Sequence, residues 1–327
     1  MSVHETTPVV SVIVLTYNQI ETVVRALESL RPVSGSDCEV VVSDDGSTDG
    51  TRKLLEAYAD NHPGLIRLLP RHKNMGLTDN YFYALSQCRG RYITDLAGDD
   101  RRLSPEAIGK FAAILDSQPE AVAVSSRWIV ADRIFGYVGA DIDRRELMIR
   151  LLSFAKPQPM MLSAMMYRKS VIDAAIVREK ANIWNAGFGC EDLPLMIALL
   201  AAGEIIYRPE VTVEYSPSAD SVTATGDYSR QARYAAGLCR ATVALANRYG
   251  LERELRVRRG LDKMCGYMLA CAAASADREV VDEALRVCAQ TGANPRGKAR
   301  IYKAMLRSRW GLRSIAWLKR LIGFNSR

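Results

Sequence analysis

The sequence lacks the features that mark a membrane-spanning, secreted or disulfide-rich protein. In its 327 residues no apolar run approaches the ~20 residues that a membrane-spanning helix needs. The seven cysteines are odd in number, widely spaced and without a Cys-x-x-Cys pair. No secretory leader precedes Val9. We therefore expect a globular protein that works in the reducing cytoplasm without structural disulfides.

Histidine is scarce, and two nucleotide-binding signatures are missing. The histidines are His4, His62 and His72, of which only His72 lies close to a candidate site loop. No Gly-x-Gly-x-x-Gly follows the first predicted strand, which argues against a dinucleotide oxidoreductase. The Gly-rich, Arg-containing loop of a sugar-phosphate nucleotidyltransferase is also absent, because that strand runs into Thr16-Tyr17-Asn18. Both of these enzyme classes are therefore disfavoured.

Acidic residues are absent from residue 294 to the end, so the net charge of +7 is concentrated locally. No nucleic-acid reading module accompanies this basic segment, and acidic motifs upstream would repel phosphates, so we expect no nucleic-acid partner. Apolar residues recur there at near-helical spacing, namely Leu306, Trp310, Trp317, Leu321 and Phe324. A second face carries Arg296, Arg300, Lys303 and Arg307. The pattern predicts either peripheral contact with the anionic inner face of the cell membrane or a helix packed on the protein with a solvated basic side.

The first hundred residues alternate β-branched runs with segments of helical period, which is typical of a parallel sheet flanked by helices. We predict strands at 9–15, 38–43, 65–69 and 92–96, and a helix that opens at Ser104-Pro105. Beyond Ala131 the pattern loosens until a predicted strand at 160–167 and a helix at 192–202. From about Gly226 onward, Ala-, Leu- and Arg-rich segments predict a helical appendage. The chain is thus predicted as an α/β domain at 1–222 followed by a helical region at 223–327.

Polar motifs follow three of the predicted strands. In open α/β sheets ligands bind beyond the carboxyl ends of the strands, and Thr16-Tyr17-Asn18, Asp44-Asp45 and Asp99-Asp100 all lie there. The Tyr17 ring could stack on a nucleobase while its two neighbours reach a ribose. Alone, this motif would suit an ordinary turn. Together, the three motifs predict one shared ligand crevice.

Asp44 and Asp45 are adjacent like charges at a strand end. Carboxylates there can accept hydrogen bonds from a base N–H and a ribose hydroxyl, and Gly46 lets the backbone approach closely. Helix capping accounts for residues 47–49, but it gives the two aspartates no structural purpose. We therefore predict that both contact a ligand.

Two further acidic pairs are candidates for the chemistry. Asp99 and Asp100 follow Gly98 and could hold a hard divalent cation that neutralises a diphosphate leaving group, although two acids in a solvated loop are ordinary. Glu191-Asp192 precedes a predicted helix, where the helix dipole stabilises an acid and accounts for one of the two. Because a hydroxyl group needs a general base to become a good nucleophile, Asp192 is the candidate base for a transfer to a hydroxyl.

Five motifs, in this order, resemble glycosyltransferase family 2, of the GT-A fold and the bacterial surface-polysaccharide type. They are VIVLTYN at 12–18, VSDDGSTD ending at Asp49, Asn74-Met75-Gly76, LAGDD at 96–100 and GCED at 189–192. The resemblance covers roughly the first two thirds of the chain. Each motif alone is weakly specific, but their order and spacing together favour the family.

The resemblance implies a role for each matching residue. The implied donor-site residues are Thr16, Tyr17, Asn18, Asp44, Asp45, Gly76 and Asp99. Among them, Tyr17 would stack on the base and Asp44 would contact it. Asp99 and Asp100 match the aspartate motif that engages Mg²⁺ or Mn²⁺, and Asp192 matches the catalytic base. The implied reaction is an inverting transfer from a nucleotide-diphosphate sugar, a UDP-sugar by default, to a hydroxyl of a saccharide or lipid-linked saccharide.

Two positions depart from the family pattern. Ala97 stands where the aspartate motif often has its first acid. Tyr215 is followed by Ser216-Pro217-Ser218, where many members have an Arg and a His. These departures support an alternative, a catalytically silent nucleotide-sugar sensor or assembly scaffold, and turnover separates it from an enzyme.

Overall fold

The structure, a computed structural model of the chain, describes residues 8–33, 37–136, 142–179, 188–216, 226–295 and 297–307. A nine-stranded sheet carries helices on its two faces, and a group of helices follows it. The strands are β1 (Val10–Thr16), β2 (Cys38–Asp44), β3 (Arg67–Leu68), β4 (Tyr92–Ala97), β5 (Arg101–Arg102), β6 (Ala121–Val130), β7 (Arg133–Phe135), β8 (Met165–Arg168) and β9 (Glu204–Glu214). The helices are α1 (Val23–Leu30), α2 (Thr51–Asn61), α3 (Leu77–Gln87), α4 (Ala107–Ser117), α5 (Arg144–Leu152), α6 (Lys169–Glu179), α7 (Asp192–Ala202), α8 (Tyr228–Arg248), α9 (Leu255–Ser275), α10 (Arg278–Gln290) and α11 (Lys298–Arg307).

β1 is the central strand of the parallel half of the sheet. Its sequence, VSVIVLT, is rich in β-branched residues, and it pairs in parallel with β2 on one side and β4 on the other. This pairing sets Thr16 level with Asp44 and Leu15 level with Ala97. The carboxyl ends of the three strands therefore meet at one edge, as the positions of the polar motifs predicted.

Alternate residues of β1 enter two separate hydrophobic cores. Val12 and Val14 belong to a buried cluster that includes the apolar face of α1. Ile13 points to the opposite side of the sheet and joins a cluster that contains residues of α3 and α7. Because each fully buried aliphatic side chain contributes about 1.5–3 kcal/mol, burial on both faces fixes the register of this strand and of the motifs at its end.

The second half of the sheet is mixed and was predicted incompletely. The strand order is β3-β2-β1-β4-β8-β6-β9-β5, with β7 paired to β6, and β8 runs antiparallel between β4 and β6. The strand predicted at 160–167 is a short 3₁₀ turn, Leu162–Ala164, followed by β8. The long strands β6 and β9 were not predicted. β9 contains Pro209, which normally argues against a strand, but a register shift opposite Ser125 and Arg127 accommodates it.

The region that follows is helical, as predicted. α8, α9 and α10 share a buried cluster of their own. The region also packs onto the sheet domain, because Leu238, Ala241 and Leu245 of α8 belong to the same cluster as the α7 residues Leu193 and Leu195. The two-domain division at residue 222 stays a prediction, since 217–225 lie outside the described residues.

The start of the basic segment packs on the protein. Leu306 of α11 is fully buried in the helical cluster, and the Lys303 ammonium donates to the Ala293 carbonyl oxygen at 3.1 Å. Of the two alternatives predicted for this segment, Leu306 fits the helix packed on the protein, because its side chain is already covered by protein. Trp310, Trp317, Leu321 and Phe324 lie outside the described residues. Among the helices that are described, none is both long and apolar enough to cross a bilayer.

One glycine sets how closely α8 approaches the sheet domain. A Cβ atom at Gly237 would overlap the carbonyl oxygen of Phe188, which lies shortly before α7. We expect Gly237→Ala to lower the free energy of unfolding by about 1–3 kcal/mol through overpacking. Gly109 in α4 is the matched control, since a Cβ there meets no atom within 4 Å. Gly109→Ala should stabilise the protein slightly. Thermal or denaturant unfolding of both variants measures the difference, and equal stability of the two would contradict the packing assignment.

Candidate active site

A cavity of about 960 Å³ opens at the carboxyl ends of β1, β2 and β4. One side of its wall comes from α8 and the loop before α7. The predicted site residues that line it are Thr16, Tyr17, Asp45, Gly76, Asp99, Asp100 and Asp192. Asn18 and Asp44 are not among its lining residues. Its volume lies within the range of small-molecule binding pockets.

Asp44 and Asp45 have different surroundings. Asp44 is 1% exposed, and its carboxylate accepts hydrogen bonds from the backbone N–H and the hydroxyl of Ser47. Asp45 lines the cavity, and its two oxygens accept the N–H groups of Met75 at 2.7 Å and Gly76 at 3.0 Å. The expectation that neither carboxylate has a structural purpose is corrected, because Asp44 closes the turn after β2 and Asp45 holds the loop that carries Gly76. Burial raises the pKa of Asp45.

Gly46 explains why this turn contains a glycine. Its φ of +74° lies in the left-handed region, and a Cβ there would lie 2.7 Å from the Asn74 backbone nitrogen. The Asn74 side chain in turn donates to the Asp45 carbonyl oxygen at 3.0 Å. The loop at 74–76 is therefore packed directly on the turn after β2, which places both motifs at the cavity wall.

The motif after β1 divides into ligand-facing and structural residues. The Tyr17 ring is 37% exposed at the cavity, and the hydroxyl of Thr16 is buried without a protein hydrogen-bond partner among the described residues. Asn18 instead joins two loops: its N–H donates to the Ser47 hydroxyl at 2.8 Å and its side-chain oxygen accepts from Thr48 N–H at 2.8 Å. Thr16 and Tyr17 are thus available to a ligand, while Asn18 holds the turns in place.

Asp99 and Asp100 lie together at the end of β4. Arg25 donates to the Asp99 carbonyl oxygen at 2.7 Å, and one carboxylate oxygen of Asp100 accepts from Ser216 N–H at 3.0 Å. Burial raises the pKa of Asp100 to about 7. Within the described residues no group of three or more His, Cys, Asp or Glu side chains is placed to hold a metal ion. Two carboxylates still fit Mg²⁺ or Mn²⁺, because such ions commonly take one or two protein carboxylates and complete their shell with water and substrate phosphates.

Glu191 and Asp192 form the third acidic pair of the cavity. Asp192 opens α7, and its Oδ1 accepts the N–H of Leu193 at 2.7 Å. The Glu191 Oε2 atom is buried without a hydrogen-bond partner among the described residues. Burial raises the pKa of Asp192, and burial together with the Asp192 charge raises the pKa of Glu191 to about 8. A carboxylate that is poorly solvated in this way is suited to accept a proton.

Sequence reasoning missed Asp95, which lies on β4 and also lines the cavity. Its Oδ2 accepts the Tyr167 hydroxyl at 2.9 Å, while Oδ1 is buried without a partner. The Tyr167 hydroxyl also contacts that of Tyr81 at 2.5 Å. Burial raises the pKa of Asp95 to about 7. An acid within the otherwise apolar run of a buried strand was the signal in the sequence that could have identified it.

Sequence reasoning also missed the contribution of the helical region. Arg230, Arg233, Tyr234 and Arg240 of α8 line the same cavity as the strand-end aspartates. The pKa of Tyr234 is raised by burial and by the neighbouring charge of Asp192. The helical spacing of the arginines gave no indication that they face the acidic motifs. Asp99 and Asp100, for example, lie more than a hundred residues before the arginines in the sequence.

The chain belongs to glycosyl transferase family 2, whose sequence profile matches residues 11–174 and so includes the strand-end motifs of β1, β2 and β4. The succinoglycan biosynthesis protein ExoO of Rhizobium meliloti is 32% identical over 124 residues, which are 38% of this chain and 34% of that protein. The uncharacterized relatives from Mycobacterium align with this chain over 32% of their own length. The chain therefore spans only about a third of these curated relatives.

Two solved structures share the fold over nearly the whole chain. The mannosyltransferase PcManGT from Pyrobaculum calidifontis, in complex with GDP-Man and Mn²⁺, has a TM-score of 0.50 at 18% identity, covering 97% of this chain and 88% of that one. TarS 1-349 of S. aureus, in complex with UDP-GlcNAc, has a TM-score of 0.50 at 15% identity, with 97% and 93% coverage. The predicted GT-A fold is confirmed.

The buried Asp95 should give stability a measurable pH dependence. A carboxyl whose pKa rises from 3.8 to about 7 on folding keeps its proton in the folded state, so its contribution to stability falls as pH rises from about 4 to 7. Asp95→Asn retains an acceptor for Tyr167 but cannot ionise. We expect the stability of the variant relative to wild type to increase over this range by up to about 4 kcal/mol.

Unfolding measured between pH 4.5 and 7.5 tests this expectation, with Asp60→Asn on the exposed side of α2 as the control. Parallel stability curves for wild type and Asp95→Asn would show that this carboxyl does not titrate on folding.

Proposed function

We propose that this protein is an inverting glycosyltransferase that moves a sugar from a nucleoside-diphosphate donor to a saccharide hydroxyl in polysaccharide biosynthesis. The observation that carries the proposal is the single cavity that joins Tyr17 and Asp45 with Asp99, Asp100 and Asp192. The likeness to ExoO supports polysaccharide biosynthesis. The sugar nucleotides in the TarS and PcManGT complexes support the donor class.

The nucleoside end of the donor belongs at Thr16, Tyr17 and Asp45. The partly exposed Tyr17 ring offers a stacking surface for a base, and the unpartnered Thr16 hydroxyl can bond to a polar group of the nucleoside. Of the two adjacent aspartates we assign the contact to Asp45, because Asp44 is committed to Ser47 and does not line the cavity. Uridine is the expected base, and the experiment below compares it with the others.

The diphosphate end belongs at Asp99 and Asp100. These carboxylates would hold Mg²⁺ or Mn²⁺, which when bound offsets the charge that develops on the leaving diphosphate. The backbone N–H of Ser216 fixes one oxygen of Asp100, and both Asp99 and Asp100 line the cavity. A metal site built from these two acids does not need a third acid at the position of Ala97.

Asp192 is assigned as the general base. Its Oδ1 is fixed by Leu193 N–H, which leaves Oδ2 to take the proton of the acceptor hydroxyl. The acceptor oxygen forms a bond to the anomeric carbon while the bond from that carbon to the phosphate oxygen breaks. The electron pair leaves with the diphosphate, so an α-linked donor gives a β-linked product.

The acceptor would be a glycan or a lipid-linked saccharide that enters from the side of α8 and Asp192. Peripheral contact with the inner face of the membrane stays a hypothesis that now depends on Trp310, Trp317, Leu321 and Phe324. The Leu306 end of that segment is already packed on the protein.

A thermal-shift screen of nucleoside diphosphates tests the donor class. Ligand that binds the native state stabilises it by mass action, so we expect UDP to raise the Tm more than GDP, CDP or dTDP, and more with Mn²⁺ or Mg²⁺ than without. Asp99→Asn should remove most of the effect of the metal while the shift from UDP alone is kept. No shift with any nucleoside diphosphate would refute the donor class, and a larger shift with another base would replace uridine.

Two variants of the acidic pair test the base. Asp192→Asn should keep nucleoside-diphosphate binding and lower kcat by about 10²–10⁴-fold, since the amide cannot take a proton. Because burial raises the pKa of Asp192, wild-type kcat should fall as pH is lowered through that raised value.

The matched control is Glu191→Gln at the adjacent position. A full loss of turnover in this variant and normal turnover in Asp192→Asn would reverse the assignment. If the wild-type protein binds the donor but transfers its sugar to neither a saccharide nor water, the sensor hypothesis replaces the enzyme hypothesis.

A further inference from the structure

Acidic residues outnumber basic ones in the lining of the cavity, and six of the acids come from the sheet domain. Eight of the described residues that line it are Asp or Glu, namely Asp45, Asp95, Asp99, Asp100, Glu191, Asp192, Asp227 and Glu283. The cationic side chains among its described lining are Arg230, Arg233 and Arg240. All three come from α8, the first helix after the sheet domain.

The three arginines lie on the part of α8 that faces the catalytic machinery. Arg230, Arg233 and Arg240 follow one another at intervals of three and seven residues, which places them along one side of a helix. Gly237 lies on the same side and packs against the Phe188 carbonyl, shortly before the acidic pair of α7. Asp227 caps the start of the helix by accepting Arg230 N–H at 3.0 Å, and it also lines the cavity. The N-terminal turns of α8 are therefore held at the cavity wall.

Cations favour the entry of a diphosphate into such a cavity, because ionised carboxylates repel phosphate oxygens. Two like charges 4 Å apart repel by about 4 kcal/mol at an effective dielectric constant of 20. One divalent ion at Asp99 and Asp100 would offset part of the diphosphate charge, although those two carboxylates neutralise part of the charge of the ion. Further positive charge would stabilise the bound diphosphate, and among the described lining residues α8 is its source.

The arginines differ in how far they are already engaged by protein carboxylates. Arg240 is held by Glu283 at 3.1 Å. Arg233 lies 4.0 Å from Asp277, a longer separation, and its side chain is 55% exposed. A guanidinium has five N–H donors in a planar fork that matches phosphate oxygens. Arg233 therefore keeps donors for a ligand, and Arg230 lies one turn before it.

We propose that Arg230 and Arg233 of α8 bind the diphosphate of the donor, so that the helical region completes the donor site of the catalytic domain. This inference rests on the proposed function. When the bond from the anomeric carbon to the phosphate oxygen breaks, the departing diphosphate gains one negative charge. Charge-assisted hydrogen bonds from the two arginines strengthen as that charge develops.

The experiment compares binding of UDP and of uridine to the full-length protein by isothermal titration calorimetry, with and without Mn²⁺. The variants are Arg230→Gln, Arg233→Gln and the double substitution. Arg286→Gln on α10 is the matched control, because Arg286 is exposed and lines a neighbouring groove formed with Arg233 but not the cavity itself. Unfolding of each unliganded variant confirms that it is folded.

We expect the Kd for UDP to rise by about tenfold or more in the double variant, in line with the loss of charge-assisted contacts. The Kd for uridine should stay within about twofold, and Arg286→Gln should resemble wild type. Unchanged UDP affinity in folded variants would overturn the inference. If these variants also lost sugar transfer, the arginines would be assigned to the acceptor.

The control on the wild-type protein separates this inference from the proposed function. If wild type binds UDP and the arginine variants bind it equally well, only the role of α8 fails. If wild type binds none of UDP, GDP, CDP or dTDP, the donor class fails and the inference fails with it.

Discussion

The arrangement of this site depends on the parallel pairing of β1 between β2 and β4. That pairing sets Thr16 level with Asp44 and brings the end of β4 alongside. Burial of β1 on both faces prevents a shift of one residue, which would turn every side chain to the opposite face. The spacing between the motif after β1 and the aspartates after β4 is therefore set by the hydrophobic core and not by the loops that carry the polar residues.

Desolvation is the second constraint on the site. Asp45, Asp95, Asp100, Glu191 and Asp192 all have raised pKa values, and burial is the largest cause for each. Buried carboxylates of this kind weaken the native state when they ionise, so the fold tolerates them at a cost in stability. The same poor solvation makes a carboxylate a stronger base and a stronger partner for a cation than it would be in water.

Much of the fold could be predicted from sequence, because periodicity reports local structure. The β-branched runs identified β1, β2 and β4, and the helix predicted at 192–202 has those bounds in the structure. Strands with weaker patterns were missed, as Pro209 and the register shift in β9 illustrate. The motifs identified the edge of the sheet but could not distinguish the roles of adjacent residues. Only the three-dimensional structure shows that Asp44 bonds to Ser47 and that Asp45 lines the cavity. The sequence could not predict that α8 lines the cavity, because no local pattern in this helix indicates which surface it packs against.

The close contact between Gly237 and Phe188 has a consequence for how members of this family can exchange parts. A helical region that approaches the loop before α7 at backbone distance cannot be replaced by one with a bulkier residue at that position, however stable the substitute is by itself. The loop before α7 and the first helix after the sheet domain are therefore fitted to each other in this chain. A recombination event that joins the sheet domain of one relative to the helices of another must carry both surfaces or lose the fit between them.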